Sequence, residues 1–307
     1  MKLGVIGGAG LIGATTAFFA ATEHVAEEIV LYDLKDNLAV SHAMDIDIAV
    51  SEFHDIVARS GDFDDLADCD VIFNTAGIPE RKVASRAEYL EGNLVIYRDI
   101  ARRIRAWGSM PVIVSASNPV DVLNYVLLEE IGCTPEKLIG FSRNDSVRLQ
   151  WAIARECGLS TPDVEAFVIG EHGDGQVPLF STVRNRRAGL PLELSEVQRA
   201  NILSRIGDWF TEYQKLDCGR SSGWTSGVSM TRILEMICDD SDSVVSCSVI
   251  PNGEYGLSGL SIGLPVKLGP GGVKEIVELR LEDSELAALH AAAAKIHAMT
   301  PAPQQRK

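Results

Sequence analysis

Hydrophobic positions in this chain fall into short continuous runs, separated by longer stretches in which they recur every three or four residues. The runs are Leu3–Ile6, Ile29–Asp33, Val71–Thr75 and Pro111–Ser115, short and rich in β-branched residues, as buried strands are. Between them lie helical patterns over Ala14–Ala21, over Asp36–Val50 (clearest at Met44–Val50), in a stretch ending at Asp99–Trp107, and over Val120–Glu130. Strands alternating with helices predict βαβ units, a parallel sheet and right-handed crossovers. From about residue 142 the pattern changes. A helix over Asp145–Glu156 leads into a strand at Val164–Ile169, then a loop, then antiparallel-type strands that include Ser243–Ile250 and Leu260–Lys267. An alanine-rich helix, Asp283–Met299, and a frayed tail, Thr300–Lys307, finish the chain. The expected architecture is α/β: a doubly wound parallel sheet over residues 1–142, then an α+β unit over 143–307.

Composition agrees with a folded chain of that size. At 307 residues, 46% hydrophobic and 23% charged, there is enough apolar surface for a core and no sign of wholesale disorder. The balance of 28 Lys and Arg against 43 Asp and Glu leaves a net charge of −15. That field repels nucleic acid and anionic membranes, so neither is an expected partner, and an anionic ligand needs a local group of arginines. No apolar run approaches the ~18–20 residues of a membrane span. The Met-Lys opening lacks a cleavage site and runs straight into the first strand and its glycine turn, unlike a signal peptide. Cys69, Cys133, Cys157, Cys218, Cys238 and Cys247 form no C-x-x-C pair and no metal-type spacing with histidine. They read as reduced, mostly buried thiols of a cytoplasmic protein with no metal site.

Three motifs carry chemistry. The first, Gly7-Gly8-Ala9-Gly10-Leu11-Ile12-Gly13, follows a strand and opens a helix. Glycines there let the backbone turn tightly and approach a pyrophosphate seated at the helix N-terminus. Asp33 comes twenty residues after Gly13, at the end of the next strand. That is the position from which a carboxylate accepts hydrogen bonds from a ribose 2′-hydroxyl and repels a 2′-phosphate, which predicts a Rossmann-type NAD site. The second, Gly170-Glu171-His172-Gly173-Asp174, puts a histidine at a strand end, able to exchange protons near neutral pH. The third is Asn144-Asp145-Ser146-Val147-Arg148, in which Asp145 and Arg148 share one helix face. Taken singly, the second motif is more often a loop histidine than a catalytic one, and the third is better read as an ordinary surface ion pair.

Together with Leu31-Tyr32-Asp33, Ala43-Met44-Asp45, Thr75-Ala76-Gly77-Ile78-Pro79 and Ser117-Asn118-Pro119-Val120-Asp121, these motifs occur in an order and at spacings that resemble the lactate/malate dehydrogenase superfamily along nearly the whole chain. The resemblance implies a Rossmann-type NAD-binding unit, a following catalytic unit, and activity as an NAD-dependent L-2-hydroxy acid dehydrogenase. It makes His172 the general base in oxidation and the acid in reduction, with Asp145 setting its tautomer and charge. It makes Arg148 the bidentate partner of the substrate carboxylate and Arg86 the mobile arginine that polarises the C2 oxygen when its loop closes. Asn118 is implied at the substrate oxygen or nicotinamide amide, before a proline, Pro119, whose peptide bond is often cis in the family. Thr225 is implied as a pocket residue. Gly7, Gly8, Gly10, Leu11, Ile12, Gly13, Asp33, Thr75, Ala76, Gly77, Asn93, Ser117 and Asn118 are implied around NAD. Relatives are usually dimers or tetramers, which implies a homodimer or homotetramer with the helices at Asp36–Val50 and Asp145–Glu156 near the partner.

The chain also departs from the family's pattern. Malate-specific members carry an arginine six residues before the loop arginine and lactate-specific ones a glutamine; here that position is Glu80, followed by Arg81 and Lys82. Val83-Ala84 replaces the usual Pro-Gly, and Gly227 stands where a bulky aromatic residue is common, which suggests a wider pocket. Glu80 facing the substrate would repel a second carboxylate and favour a neutral or cationic 2-oxo acid. A one-residue shift of the loop would instead turn Arg81 inward. A short-chain dehydrogenase is excluded because no tyrosine is followed four residues on by lysine. An NAD-dependent glycosidase lacks its Cys/His metal site here, and a binding-only regulator would not be expected to keep all four of His172, Asp145, Arg148 and Arg86.

Overall fold

In the computed structural model the described residues are 1–78 and 86–302, with side chains from Tyr89 onward in the second stretch. The chain opens with β1 (Lys2–Ile6), α1 (Leu11–Thr22), β2 (Glu28–Tyr32), α2 (Asp36–Val50), β3 (Val57–Ser60), β4 (Val71–Asn74), α3 (Arg86–Arg105), β5 (Val112–Ser115), α4 (Val120–Ile131) and β6 (Leu138–Gly140). These six strands are parallel in the order β3-β2-β1-β4-β5-β6. That is the doubly wound order, which reverses direction beside β1 and leaves a ligand crevice at the strands' carboxyl ends. Ile29, Val30, Leu31, Val112, Ile113 and Val114 are fully buried, as strands covered on both faces require.

The second half contains α5 (Arg143–Cys157), β7 (Val164–Glu165), β8 (Val168–Gly170), β9 (Gln176–Pro178), β10 (Arg184–Asn185), β11 (Leu190–Pro191), α6 (Glu196–Lys215), α7 (Gly223–Cys238), β12 (Val245–Val249), β13 (Ile262–Gly269), β14 (Gly272–Ile276) and α8 (Asp283–Met299). Its main strands extend the same sheet: β12 pairs antiparallel with β6 at Ser248 and Gly140, then β13, β8 and β9 follow, with β14 on β13. A separate small sheet joins β7, β10 and β11. A second apolar cluster, including Leu149, Ile153, Val168 and Ile202, packs α5 against α6 and β8.

Three expectations change here. The run Val164–Ile169 is two strands, in different sheets, because the chain changes partners between Glu165 and Val168. Gly227 does not widen a pocket. A Cβ on it would sit 3.0 Å from Phe19 and from Thr15 of α1, so the missing side chain lets α7 lie close against α1. Of the cysteines, Cys69 and Cys247 are buried, Cys218 is exposed and three are partly exposed, fewer buried than expected; all six are free. Gly227→Leu should lower stability to urea by about 1–3 kcal/mol through overpacking. An unchanged unfolding midpoint would show that α7 and α1 do not meet there.

Candidate active site

The carboxyl ends of β1, β4 and β5 are joined by hydrogen bonds that shape a cofactor crevice. Gly7 and Gly8 donate to Tyr32 O at 2.9 and 3.0 Å, and Gly10 donates to Gly7 O at 3.0 Å, which coils the loop tightly ahead of α1. Gly7 has φ +86°, and a Cβ on Gly13 would run into the Gly7 carbonyl, so neither position admits a side chain. No side chain caps α1 and its first turn, which starts at Leu11 and Ile12, holds no acid. Its unpaired N–H groups and positive dipole end fit a pyrophosphate. Asp33 accepts from Ala9 N at 3.0 Å and Lys35 N at 2.9 Å, which places its carboxylate over the loop. Thr75 Oγ1 donates to Ile6 O, Ser117 Oγ to Ala76 O at 2.6 Å, and Asn93 Nδ2 to Asn118 O at 2.7 Å, while Asn93 Oδ1 accepts from Ile78 N. A Cβ on Gly77 would meet Ser117 Oγ at 2.8 Å. The Asn118–Pro119 bond is cis. The loop, the uncapped helix and the placed carboxylate together fit NAD.

Next to this crevice, α5 begins after Ser142 and carries Asp145 in its first turn, where the helix dipole favours an anion. Asp145 is buried, and its two oxygens have different partners. Oδ2 lies 2.6 Å from His172 Nδ1, and Oδ1 accepts from Arg148 Nη1 at 3.0 Å. Removing a carboxylate from water is tolerated because both oxygens are paired with cationic or proton-bearing groups. An ionised carboxylate only accepts, so the imidazole holds its proton on Nδ1 and exchanges protons at Nε2. Burial works to lower the proton affinity of His172, but the charge and hydrogen bond of Asp145, helped by Asp121, outweigh it and raise it above the ordinary histidine value. The ring keeps 19% of its side-chain surface open to solvent, so it is reachable from outside.

Arg148 is held on several sides. Besides Asp145, its Nη2 lies 3.4 Å from Ser222 Oγ, and its guanidinium carbon stands 4.7 Å from the Phe210 ring centre and 5.3 Å from that of Trp209. Burial lowers its proton affinity against the pull of Asp145, yet a guanidinium remains a cation. The hydroxyl bonded to Arg148 is thus that of Ser222, three residues before Thr225 in sequence. Ser226 on α7 accepts from Asn144 Nδ2 at 2.9 Å, which ties α7 to the first turn of α5. Ser222, Trp209 and Phe210 were not singled out from sequence; the spacing of hydroxyls in Ser221-Ser222-Gly223-Trp224-Thr225-Ser226 leaves their helical phase open, and the recurrence of Ile202, Ile206, Trp209, Phe210 and Tyr213 marks a helix without showing what it faces. Glu80 and Arg81 lie outside the described residues, as does the side chain of Arg86, whose backbone opens α3.

The raised proton affinity of His172 has a definite cost and sign. Its stabilising contribution is complete below the unfolded value of about 6.5 and is lost as pH rises through the folded value. Asp145→Asn should shift the titration of the His172 ring, followed by NMR, to lower pH, because the opposing burial remains. A titration unchanged by that substitution would show that Asp145 does not set the charge of His172.

Comparison with known proteins agrees with this geometry. Residues 1–140 match the family described as lactate/malate dehydrogenase, NAD binding domain, and residues 143–300 match its alpha/beta C-terminal domain. A malate dehydrogenase of Chlorobium phaeovibrioides is 34% identical over 299 residues, covering 96% of each chain. The structure of malate dehydrogenase from Salinibacter ruber superposes with a TM-score of 0.87 at 31% identity, covering 97% of this chain and 96% of that one. A Cryptosporidium parvum lactate dehydrogenase, solved with lactic acid and nicotinamide adenine dinucleotide, gives 0.90 at 27% identity, covering 97% and 96%. With both halves matched and the relatives aligned almost end to end, the chain belongs to the lactate/malate dehydrogenase family.

Proposed function

We propose that this NAD-linked enzyme interconverts a small L-2-hydroxy acid and its 2-oxo acid, with His172 as proton carrier and Arg148 as the anchor of the substrate carboxylate. The observation that carries the reading is the single carboxylate of Asp145, shared between His172 Nδ1 and Arg148 Nη1. It sets the group that moves the proton and the group that holds the substrate at one fixed separation. In oxidation, Nε2 of His172 takes the hydroxyl proton as the C2–H bond breaks; in reduction it returns a proton to the C2 oxygen. When bound, the nicotinamide supplies or accepts the hydride. Gly7, Gly8, Gly10 and the first turn of α1 hold the pyrophosphate, and Asp33 holds the ribose and disfavours a 2′-phosphate. Thr75, Ala76, Gly77, Asn93, Ser117 and Asn118 wall the nicotinamide side. Asn118 also serves the substrate oxygen, Thr225 belongs to the pocket wall, and Arg86 polarises the C2 oxygen once its loop closes and expels water. Residues 1–142 form the cofactor unit, from which Arg86 and Asn118 reach the substrate, and residues 143–307 the substrate unit with Asp145, Arg148, His172 and Thr225.

If the loop that carries Glu80 and Arg81 follows the family's geometry, one of the two meets the substrate beyond C3. Glu80 turned inward favours a 2-oxo acid without a second carboxylate; Arg81 turned inward favours oxaloacetate, a reading that the malate dehydrogenase relatives support. The six free thiols support a cytoplasmic location, and no helix among the described residues is long and apolar enough to cross a membrane. A homodimer or homotetramer is supported by apolar side chains left exposed at helical spacing: Met44 and Ile48 on α2, and Trp224 and Val228 on α7. The outer face of α5 adds no comparable large apolar side chain, since α6 and α7 cover that helix. Met44→Asp with Ile48→Asp should reduce the mass seen by light scattering to that of one 33.2 kDa chain; a wild-type protein already at that mass would refute the oligomer.

Initial rates with a panel of 2-oxo acids, each with NADH and with NADPH, test the function. Reduction should fall, and oxidation rise, as pH increases through the raised titration of His172. NADH should be preferred by more than about tenfold, since unpaired like charges at Asp33 cost several kcal/mol. Glu80→Arg should raise the oxaloacetate rate at least about tenfold if Glu80 faces the substrate. No change there, with loss of oxaloacetate reduction in Arg81→Ala, would establish the shifted loop. Failure of every 2-oxo acid would overturn the activity itself.

A further inference from the structure

His172 has a second carboxylate beside it, reached through the main chain. Asp121, in the first turn of α4, is buried; its Oδ2 accepts from the backbone N–H of His172 at 2.8 Å. Its Oδ1 accepts from Ser248 Oγ of β12 at 2.5 Å. Ser248 Oγ lies 2.9 Å from Ser261 Oγ, and Ser261 Oγ accepts from Asn124 Nδ2 at 3.0 Å. Because the one hydroxyl proton of Ser248 is committed to Asp121, Ser261 must be the donor in the next bond. The donors therefore run in one direction, from Asn124 through Ser261 and Ser248 to Asp121, and the His172 amide approaches from the other side. With Asp121 ionised, every donor in this chain ends on its carboxylate.

We propose that Asp121 is a positioning residue for the proton carrier: its buried carboxylate fixes the main chain of His172 so that the ring meets Asp145. Beside that geometry, its charge also strengthens the hold of the ring on its proton. The proposal rests on the assignment of His172 as that carrier. Asn124, Ser248 and Ser261 are all fully buried, so the carboxylate is held by side chains of α4 and β12 and by the start of β13, behind the site and away from substrate. Burial pushes the Asp121 carboxyl up to about 6, opposed by Ser248 and by the amide and charge of His172; it is an anion at neutral pH. Glu171 pairs with Lys295 of α8 at 2.6 Å and accepts from Gly175 N, while Arg148 opposes the protonation of His172. The catalytic loop is thus fastened at Glu171 to α8, at the His172 amide to α4, and at the His172 ring to α5.

Asp121→Asn separates charge from shape. The amide can keep its oxygen on His172 N and turn its nitrogen to Ser248, whose hydroxyl then points to Ser261. This variant should keep the wild-type melting temperature and NADH affinity while the His172 ring titration, followed by NMR, shifts to lower pH by roughly 0.5 unit or more. Asp121→Ala should cut kcat by on the order of ten- to a hundredfold, because the loop loses its register. Ser248→Ala should lower kcat by a smaller factor. A His172 titration unmoved in Asp121→Asn overturns the electrostatic part. Wild-type kcat in folded Asp121→Ala, or in Ser248→Ala should the alanine variant at 121 not fold, overturns the positioning part. The titration is read without turnover, so it stands apart from the proposed function: wild-type turnover in His172→Ala would end that reading and leave the coupling of Asp121 to His172 still measurable.

Discussion

A carboxylate buried in the first turn of α5 has to satisfy two oxygens without water, and Asp145 does so by dividing them between a histidine ring and a guanidinium. Much of the site's layout follows from that constraint. One oxygen fixes the His172 tautomer, so the proton that moves is the one on Nε2. The other holds Arg148, one helical turn along the same face, in line with Phe210, Trp209 and Ser222. Taking a charge out of water is costly unless geometry and partners are both good. Here the partners are the two groups proposed to carry the proton and the substrate carboxylate, so the same arrangement that makes burial tolerable sets the spacing between them.

The site is held to the cofactor crevice by α7. Ser222 and Ser226 reach α5, Gly223 and Gly227 let the helix lie against α1, and Thr15 Oγ1 donates to Gly223 O at 3.1 Å. The start of α1 is the glycine loop itself. A displacement of α7 would therefore change the pyrophosphate end and the carboxylate end together. On the opposite side the sheet passes from parallel to antiparallel at the pairing of Gly140 with Ser248, and Ser248 is also a link in the chain of hydroxyls behind His172.

What could be read from the sequence follows from how strongly each element is buried. The strands around the glycine loop are apolar on both faces and stand out without ambiguity, and the final helix, Asp283–Met299, matches its predicted span. In contrast, α6 buries only Ile202; its stripe of Ile202, Ile206, Trp209, Phe210 and Tyr213 has helical spacing but does not tell that Trp209 and Phe210 flank Arg148, and both were missed. The three-residue strand Leu138–Gly140 and the edge strand Val57–Ser60 are too short or too polar to separate from loop. Asp145, Arg148 and His172 were legible because their residue types and order have a chemical meaning together. Gly227 was misread because a missing side chain looks the same whether it faces a ligand or a neighbouring helix. Asp121 was visible only as part of a motif: a carboxylate among Val120, Val122 and Leu123 signals a buried acid, but not which amide it holds.

If Asp145 acts on the proton transfer through His172, the two form one unit in turnover. The decisive measurement is a double-mutant cycle on kcat at saturating substrate, using Asp145→Asn, whose amide oxygen can still accept from Arg148, His172→Ala and the pair. If the carboxylate works by setting the state of the imidazole, the pair should be no slower than His172→Ala alone, within about threefold. Losses that multiply would contradict the account, since Asp145 would then be contributing to the reaction independently of the ring it contacts.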